Sequence, residues 1–121
     1  DFNAYDTWNP FTYAVDMPKF QVGETFEFSV RLFENNIRRQ QELLEVIQPP
    51  HVLAWRYPSA TLWLRAIRYQ VMREIAPGQT HYATWEAFHG ILAPVIGLTL
   101  LRGIQRGFED ATNALKAEAE R

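Results

Sequence analysis

The chain has 121 residues, enough for one domain, with 47% apolar residues, 14% aromatics and a formal net charge of −2. Its Lys and Arg are interleaved with Asp and Glu, which excludes the basic stripe of a nucleic-acid binder and the polybasic cluster of an anionic-membrane binder. The chain contains no cysteine, which excludes disulfides, thiolate metal sites and a cysteine nucleophile.

Residues 1–23 hold Pro10, Pro18 and Gly23 among aromatics, and read as loop and irregular structure. Residues 24–32 alternate cleanly. Phe26, Phe28, Val30 and Leu32 share one face while Glu27, Ser29 and Arg31 share the other, the pattern of a half-buried strand. Asn35-Asn36 is a hairpin signal, because Asn tolerates positive φ. Residues 37–48 are ambiguous between helix and strand. Their residues have helical propensity, their helical stripe is poor, and Pro49-Pro50 stops them. Residues 52–57 form a short strand with Leu53, Trp55 and Tyr57 on one face, ended by Pro58.

Residues 62–75 are two-sided. Trp63, Ile67, Tyr69, Val71 and Ile75 alternate with Leu64, Arg68, Gln70 and Glu74, and Arg65 and Arg73 fall on the aromatic face. Ala76-Pro77-Gly78-Gln79 is a turn, from which residues 80–88 return antiparallel. A single amphipathic helix is expected from near Pro94 to about Glu118. Ile96, Leu100, Leu101, Ile104, Phe108, Ala111 and Leu115 recur at the spacing of one helix face. The longest apolar stretch, Gly90 to Leu101, contains Pro94, Gly97 and Thr99 and is shorter than the roughly 18 residues of a membrane span.

Three stretches resemble a known family when taken in order. They are Tyr5-Asp6-Thr7-Trp8-Asn9-Pro10-Phe11, then Glu45-Val46-Ile47-Gln48-Pro49-Pro50 with Leu53-Ala54-Trp55-Arg56, and Trp85-Glu86-Ala87-Phe88-His89-Gly90-Ile91-Leu92-Ala93-Pro94 with Gly107-Phe108 and Asn113-Ala114-Leu115-Lys116. In this order and spacing the chain resembles the SRPBCC (START-like, polyketide cyclase/dehydrase and lipid transport) superfamily. The resemblance implies an α+β, helix-grip fold over residues 1–121, a curved antiparallel sheet around a long C-terminal helix, with an apolar cavity between them. It also inclines residues 37–48 towards strand. Members of the family begin with a strand and one or two short helices, whereas this chain starts almost at the Trp-Asn-Pro-Phe stretch. Either those residues precede Asp1 in the full protein, or this is a truncated variant; in the second case the sheet loses an edge strand, leaving an edge open to a protein partner or a second copy. The resemblance does not imply a reaction, since one fold hosts many functions.

Read this way, the protein binds a small hydrophobic ligand, aromatic or lipid-like, between sheet and helix. The cavity walls are expected from Trp8, Phe11, Phe26, Phe28, Trp55 and Trp63, from Tyr69, Trp85 and Phe88, and from Leu101, Ile104 and Phe108 of the helix. Each of these aromatics is equally compatible with plain core packing. An aromatic polyketide cyclase or dehydratase, with Glu86, Arg65, Tyr69 or His81 moving protons, is an alternative. Glu86 would act from an apolar pocket that raises its pKa, or else be a surface carboxylate paired with an Arg. Arg65 would hold a ligand anion through its planar fork, or else extend to solvent. An accessory subunit of a larger complex is the third reading. The histidines His51, His81 and His89 have no metal-ligand spacing, so neither a metal nor another cofactor is expected. No targeting signal is visible, which reads as cytoplasmic, although the chain begins with Asp1 rather than Met.

Overall fold

A computed structural model describes residues 1–33, 36–58, 64–99 and 101–121, without the side chains of residues 33, 96 and 99. The Asn35 half of the expected hairpin, Trp63 and Leu100 lie outside the described residues. Six antiparallel strands pair strictly in chain order: β1 (Thr12–Asp16), β2 (Thr25–Phe33), β3 (Asn36–Gln48), β4 (Val52–Arg56), β5 (Arg65–Ala76) and β6 (Gln79–His89). A 3-10 turn at Phe2–Ala4 and a one-turn helix, α1 (Tyr5–Trp8), precede them; α2 (Ala93–Thr99) and α3 (Leu101–Ala119) follow. The fold is α+β, and β1 and β6 are the edges of the sheet.

The first 23 residues are more ordered than their Pro and Gly content predicts. Asn9, which is buried, is the reason. Its Oδ1 accepts from the backbone N–H of Phe11 and of Thr12, both at 3.0 Å. This Asx turn reverses the chain after Trp8 and drives the Phe11 ring into the core. A second tie is made by Asp6, whose Oδ1 accepts from Ala14 N–H at 2.6 Å. Ala14 has φ +49°, in the left-handed region, where β1 departs from regular pairing with β2.

The alternation expected of β2 holds: Phe26, Phe28, Val30 and Leu32 are all buried. Residues 37–48 are a strand, paired with β2 from Leu43↔Thr25 to Ile37↔Arg31. In the C-terminal region, where a helix was expected from near Pro94 to about Glu118, helix is described on both sides of residue 100, as α2 and α3. On α3 the buried positions are Gly103, Ile104, Gly107 and Ala111, one face at three- and four-residue spacing. Leu101 does not belong to it; its side chain is 40% exposed. Among the described residues no helix is long and apolar enough to cross a membrane.

The helix meets the sheet at Gly107. A Cβ at this position would lie 2.2 Å from the Phe11 ring, inside any permitted contact. Only glycine lets α3 approach this closely. The neighbouring Phe108 ring then reaches Phe11 edge-on, with centroids 5.6 Å apart. Gly97, by contrast, has nothing within 4 Å of where its Cβ would stand. Gly107→Ala is expected to destabilise the fold by about 1–3 kcal/mol through overpacking. Gly97→Ala should be neutral or stabilising by up to about 1 kcal/mol, because Ala is the better helix former. Urea unfolding midpoints of the two variants check the pair.

Candidate functional site

Alternation along each strand sends every second side chain to the face covered by α3. On β3 these are Arg38, Gln40, Glu42 and Leu44; on β5 they include Arg68, and on β6 Glu86 and Phe88. The cross-strand register places Trp55 opposite Arg68 and Arg68 opposite Glu86, so the three share one row of this face. Together with Phe11, Phe28 and Val30 from the sheet and Ile104 and Phe108 from the helix, they line a chamber of about 190 Å³. A second chamber of about 360 Å³ lies further along α3, under Leu115. Phe2, Trp8, Phe20, Leu53 and Met72 line it, and its walls are nearly all apolar.

The first chamber holds the charged groups. Arg68 is 7% exposed. Its guanidinium carbon lies 4.1 Å from the centroid of the Phe108 ring, 5.4 Å from that of Trp55 and 5.8 Å from that of Phe11. These are cation–π distances from three elements at once. Its Nε donates to Thr84 Oγ1 at 3.3 Å, and the Thr84 hydroxyl in turn donates to the Tyr69 carbonyl at 3.0 Å. Burial pulls the Arg68 pKa below its ordinary value, and the nearby Tyr82, Tyr5 and Glu86 work against that pull.

Glu42 is 5% exposed, and its buried Oε2 has no hydrogen-bond partner among the described residues. Desolvation, followed by the charge of Glu86, pushes its pKa up to about 8, with Arg68 opposing. The Glu86 carboxyl is also raised by burial and held down in part by Arg68. Tyr57 closes this end of the chamber. Its phenol lies 3.4 Å from Gln40 Nε2, which donates to it, and burial raises its pKa, with Glu42 and Glu86 adding to the shift. A neutral carboxyl, a carboxyl beside a cation, and aromatic walls are thus gathered in one partly buried space. Buried groups of this kind accept and donate hydrogen bonds strongly, because less solvent competes.

Of the residues singled out in the sequence, Phe11, Phe28, Trp55, Phe88, Ile104, Phe108 and Glu86 line this chamber. Trp8 lines the second chamber. Phe26 is core, stacked on Phe28 with centroids 5.3 Å apart. Tyr69 and Trp85 are on the opposite face of the sheet, stacked on each other at 5.3 Å, with Trp85 46% exposed. Arg65 and His81 are exposed, and neither lines the chamber. The sequence left open which face of β5 points inward; Arg68 faces in, with Tyr69 and Val71 on the other face. Glu42 and Arg68 were the residues missed. Glu42 stood in a segment whose period could not be assigned, and Arg68 stood on the polar side of a two-faced strand. Among the described residues no three His, Asp or Glu side chains converge as metal ligands. No protein family, curated protein or solved structure matches the chain.

The raised Glu42 pKa has a consequence for stability. Between the ordinary carboxylate range and pH 8 the unfolded chain has lost this proton while the folded chain keeps it. The unfolded state binds fewer protons, so stability falls as pH rises through that window, by up to about 1.4 kcal/mol per pH unit. Glu42→Gln removes the titrating group. It is expected to flatten this slope and to raise the melting temperature above that of the unmodified protein at pH 8. Thermal unfolding followed by circular dichroism from pH 5 to pH 8.5 checks both.

Proposed function

We propose that this protein binds a small, largely aromatic or apolar molecule in the chamber between the sheet and α3. One observation carries the reading. Aromatic side chains line the chamber beside a few convergent polar groups, one of which, Glu42, has a buried oxygen with no hydrogen-bond partner among the described residues. Small-molecule pockets combine apolar walls with placed polar atoms, and this chamber sets Arg68, Glu42 and Glu86 among aromatic side chains. A core that only had to pack would not hold two carboxyls and a guanidinium. The resemblance to the SRPBCC superfamily supports the same reading, because a helix-grip sheet encloses such a cavity against its C-terminal helix.

A second reading is proton-transfer catalysis of the cyclase or dehydratase type. It is favoured by the proximity of Glu42 and Glu86, two carboxyls with raised pKa values around one cation. Arg65 and Tyr69 drop out of that scheme, being outside the chamber. Glu42, Glu86 and Arg68 take their place as the acid, the base and the group that steadies developing negative charge.

Binding to the folded chain alone raises its melting temperature. Toluene or naphthalene at about ten times its dissociation constant is expected to stabilise the fold by about 1.4 kcal/mol, a shift of about 5–6 °C. Ile104→Phe fills the chamber from the helix side and should abolish that shift while leaving the circular dichroism spectrum intact. No shift with any aromatic compound, together with no difference between the two proteins, would sink the binding reading.

A further inference from the structure

We propose that Glu42 is the polar anchor of the chamber and donates a hydrogen bond to the carbonyl oxygen of an uncharged aromatic ligand. This rests on the binding reading above and names its ligand class. Glu42 lines the chamber, and its buried Oε2 has no hydrogen-bond partner among the described residues. A protonated carboxyl has one O–H to give, and an apolar ligand would leave it unmet. A ligand oxygen at that point satisfies it.

The surroundings of Glu42 decide the charge of the ligand. Glu86 faces it from β6, Arg68 from β5, Tyr57 from the end of β4, and Arg38 from its own strand. β2 brings Phe26 and Phe28, and α3 brings Ile104 and Phe108, none of which titrates. Arg68 and ionised Glu86 balance each other, and Glu42 keeps its proton because both burial and Glu86 favour the neutral form. The buried charges of the chamber are then balanced, while Arg38, which also lines it, is exposed to solvent. A carboxylate ligand would add a second anion beside Glu86 with only one buried cation, Arg68, to share. An ammonium ligand would find its place taken, because the Arg68 guanidinium already occupies the aromatic faces of Phe108, Trp55 and Phe11. An uncharged ligand with an acceptor oxygen disturbs neither balance.

Four probes of one ring size test this: acetophenone, toluene, benzoate and benzylamine. Each is titrated into the full chain at pH 6.5, and amide and side-chain resonances of the chamber are followed by NMR. Acetophenone is expected to bind at least tenfold more tightly than the other three. Glu42→Leu should bring acetophenone down to the affinity of toluene while toluene itself is unchanged or improved. Glu42→Gln, which keeps an N–H donor at the same place, should retain most of the preference. In the unmodified protein the acetophenone affinity should fall at least fivefold between pH 7 and pH 9.5, a fall that Glu42→Gln abolishes. If benzylamine or benzoate binds most tightly, the ligand is charged and the proposal is wrong while the binding reading stands. If toluene matches acetophenone, or if Glu42→Leu leaves acetophenone unaffected, Glu42 is no anchor and again only the proposal fails. Perturbation of the chamber by none of the four overturns the proposal and the binding reading together.

Discussion

The guanidinium of Arg68 against the Phe108 ring, 4.1 Å away, is the contact on which the rest of the site depends. It joins β5 to α3 across the face of the sheet that α3 covers. A buried cation is costly unless charge and polarisable surface surround it. Three aromatic faces supply the surface, and Glu86, directly opposite on β6, supplies the charge. Glu42 is left over. With one cation already matched, a second carboxyl in the same space is more stable neutral, and its raised pKa follows from that arithmetic of charge as well as from burial. The close approach at Gly107 matters for the same reason, because it sets the height at which Phe108 meets the guanidinium.

How far the fold was legible varied from strand to strand, and the reason is physical. β2 announced itself because Phe26, Phe28, Val30 and Leu32 face an interior that wants apolar atoms. β3 did not, because its inward positions at 38, 40 and 42 face a chamber that holds Arg, Gln and Glu. The period of two is present in the structure and invisible in hydropathy. β5 was harder still. Its greasy side, Ile67, Tyr69 and Val71, faces outward. Cross-strand stacking of Tyr69 on Trp85 gives that outer face packing of its own. Hydrophobic alternation identifies a strand with two unlike faces but does not say which face a helix will cover.

The same limit explains the site. Glu86 was legible because Trp85 and Phe88 flank it, and Ile104 and Phe108 because a helical period is unambiguous over nineteen residues. Arg68 and Glu42 became visible only once β3, β4, β5 and β6 were paired in register, which brought residues far apart in sequence into one chamber. Asn9 carries a related lesson. It stood in a stretch that suggested a family, yet what it does here is local: two backbone hydrogen bonds that aim Phe11 at the helix.

Trp55 gives this arrangement an optical side. Its indole is 2% exposed, borders the chamber, and has a positive charge 5.4 Å from its ring centroid. The indole excited state has a large dipole, so its emission energy follows the local field. Any molecule that enters beside Arg68 alters that field and the contacts quenching the ring. Trp85, on the outer face and half in water, is insulated from such changes by the thickness of the sheet. On the proposed binding reading, Trp55 is a buried chromophore beside Arg68 whose emission would report an occupant of the chamber.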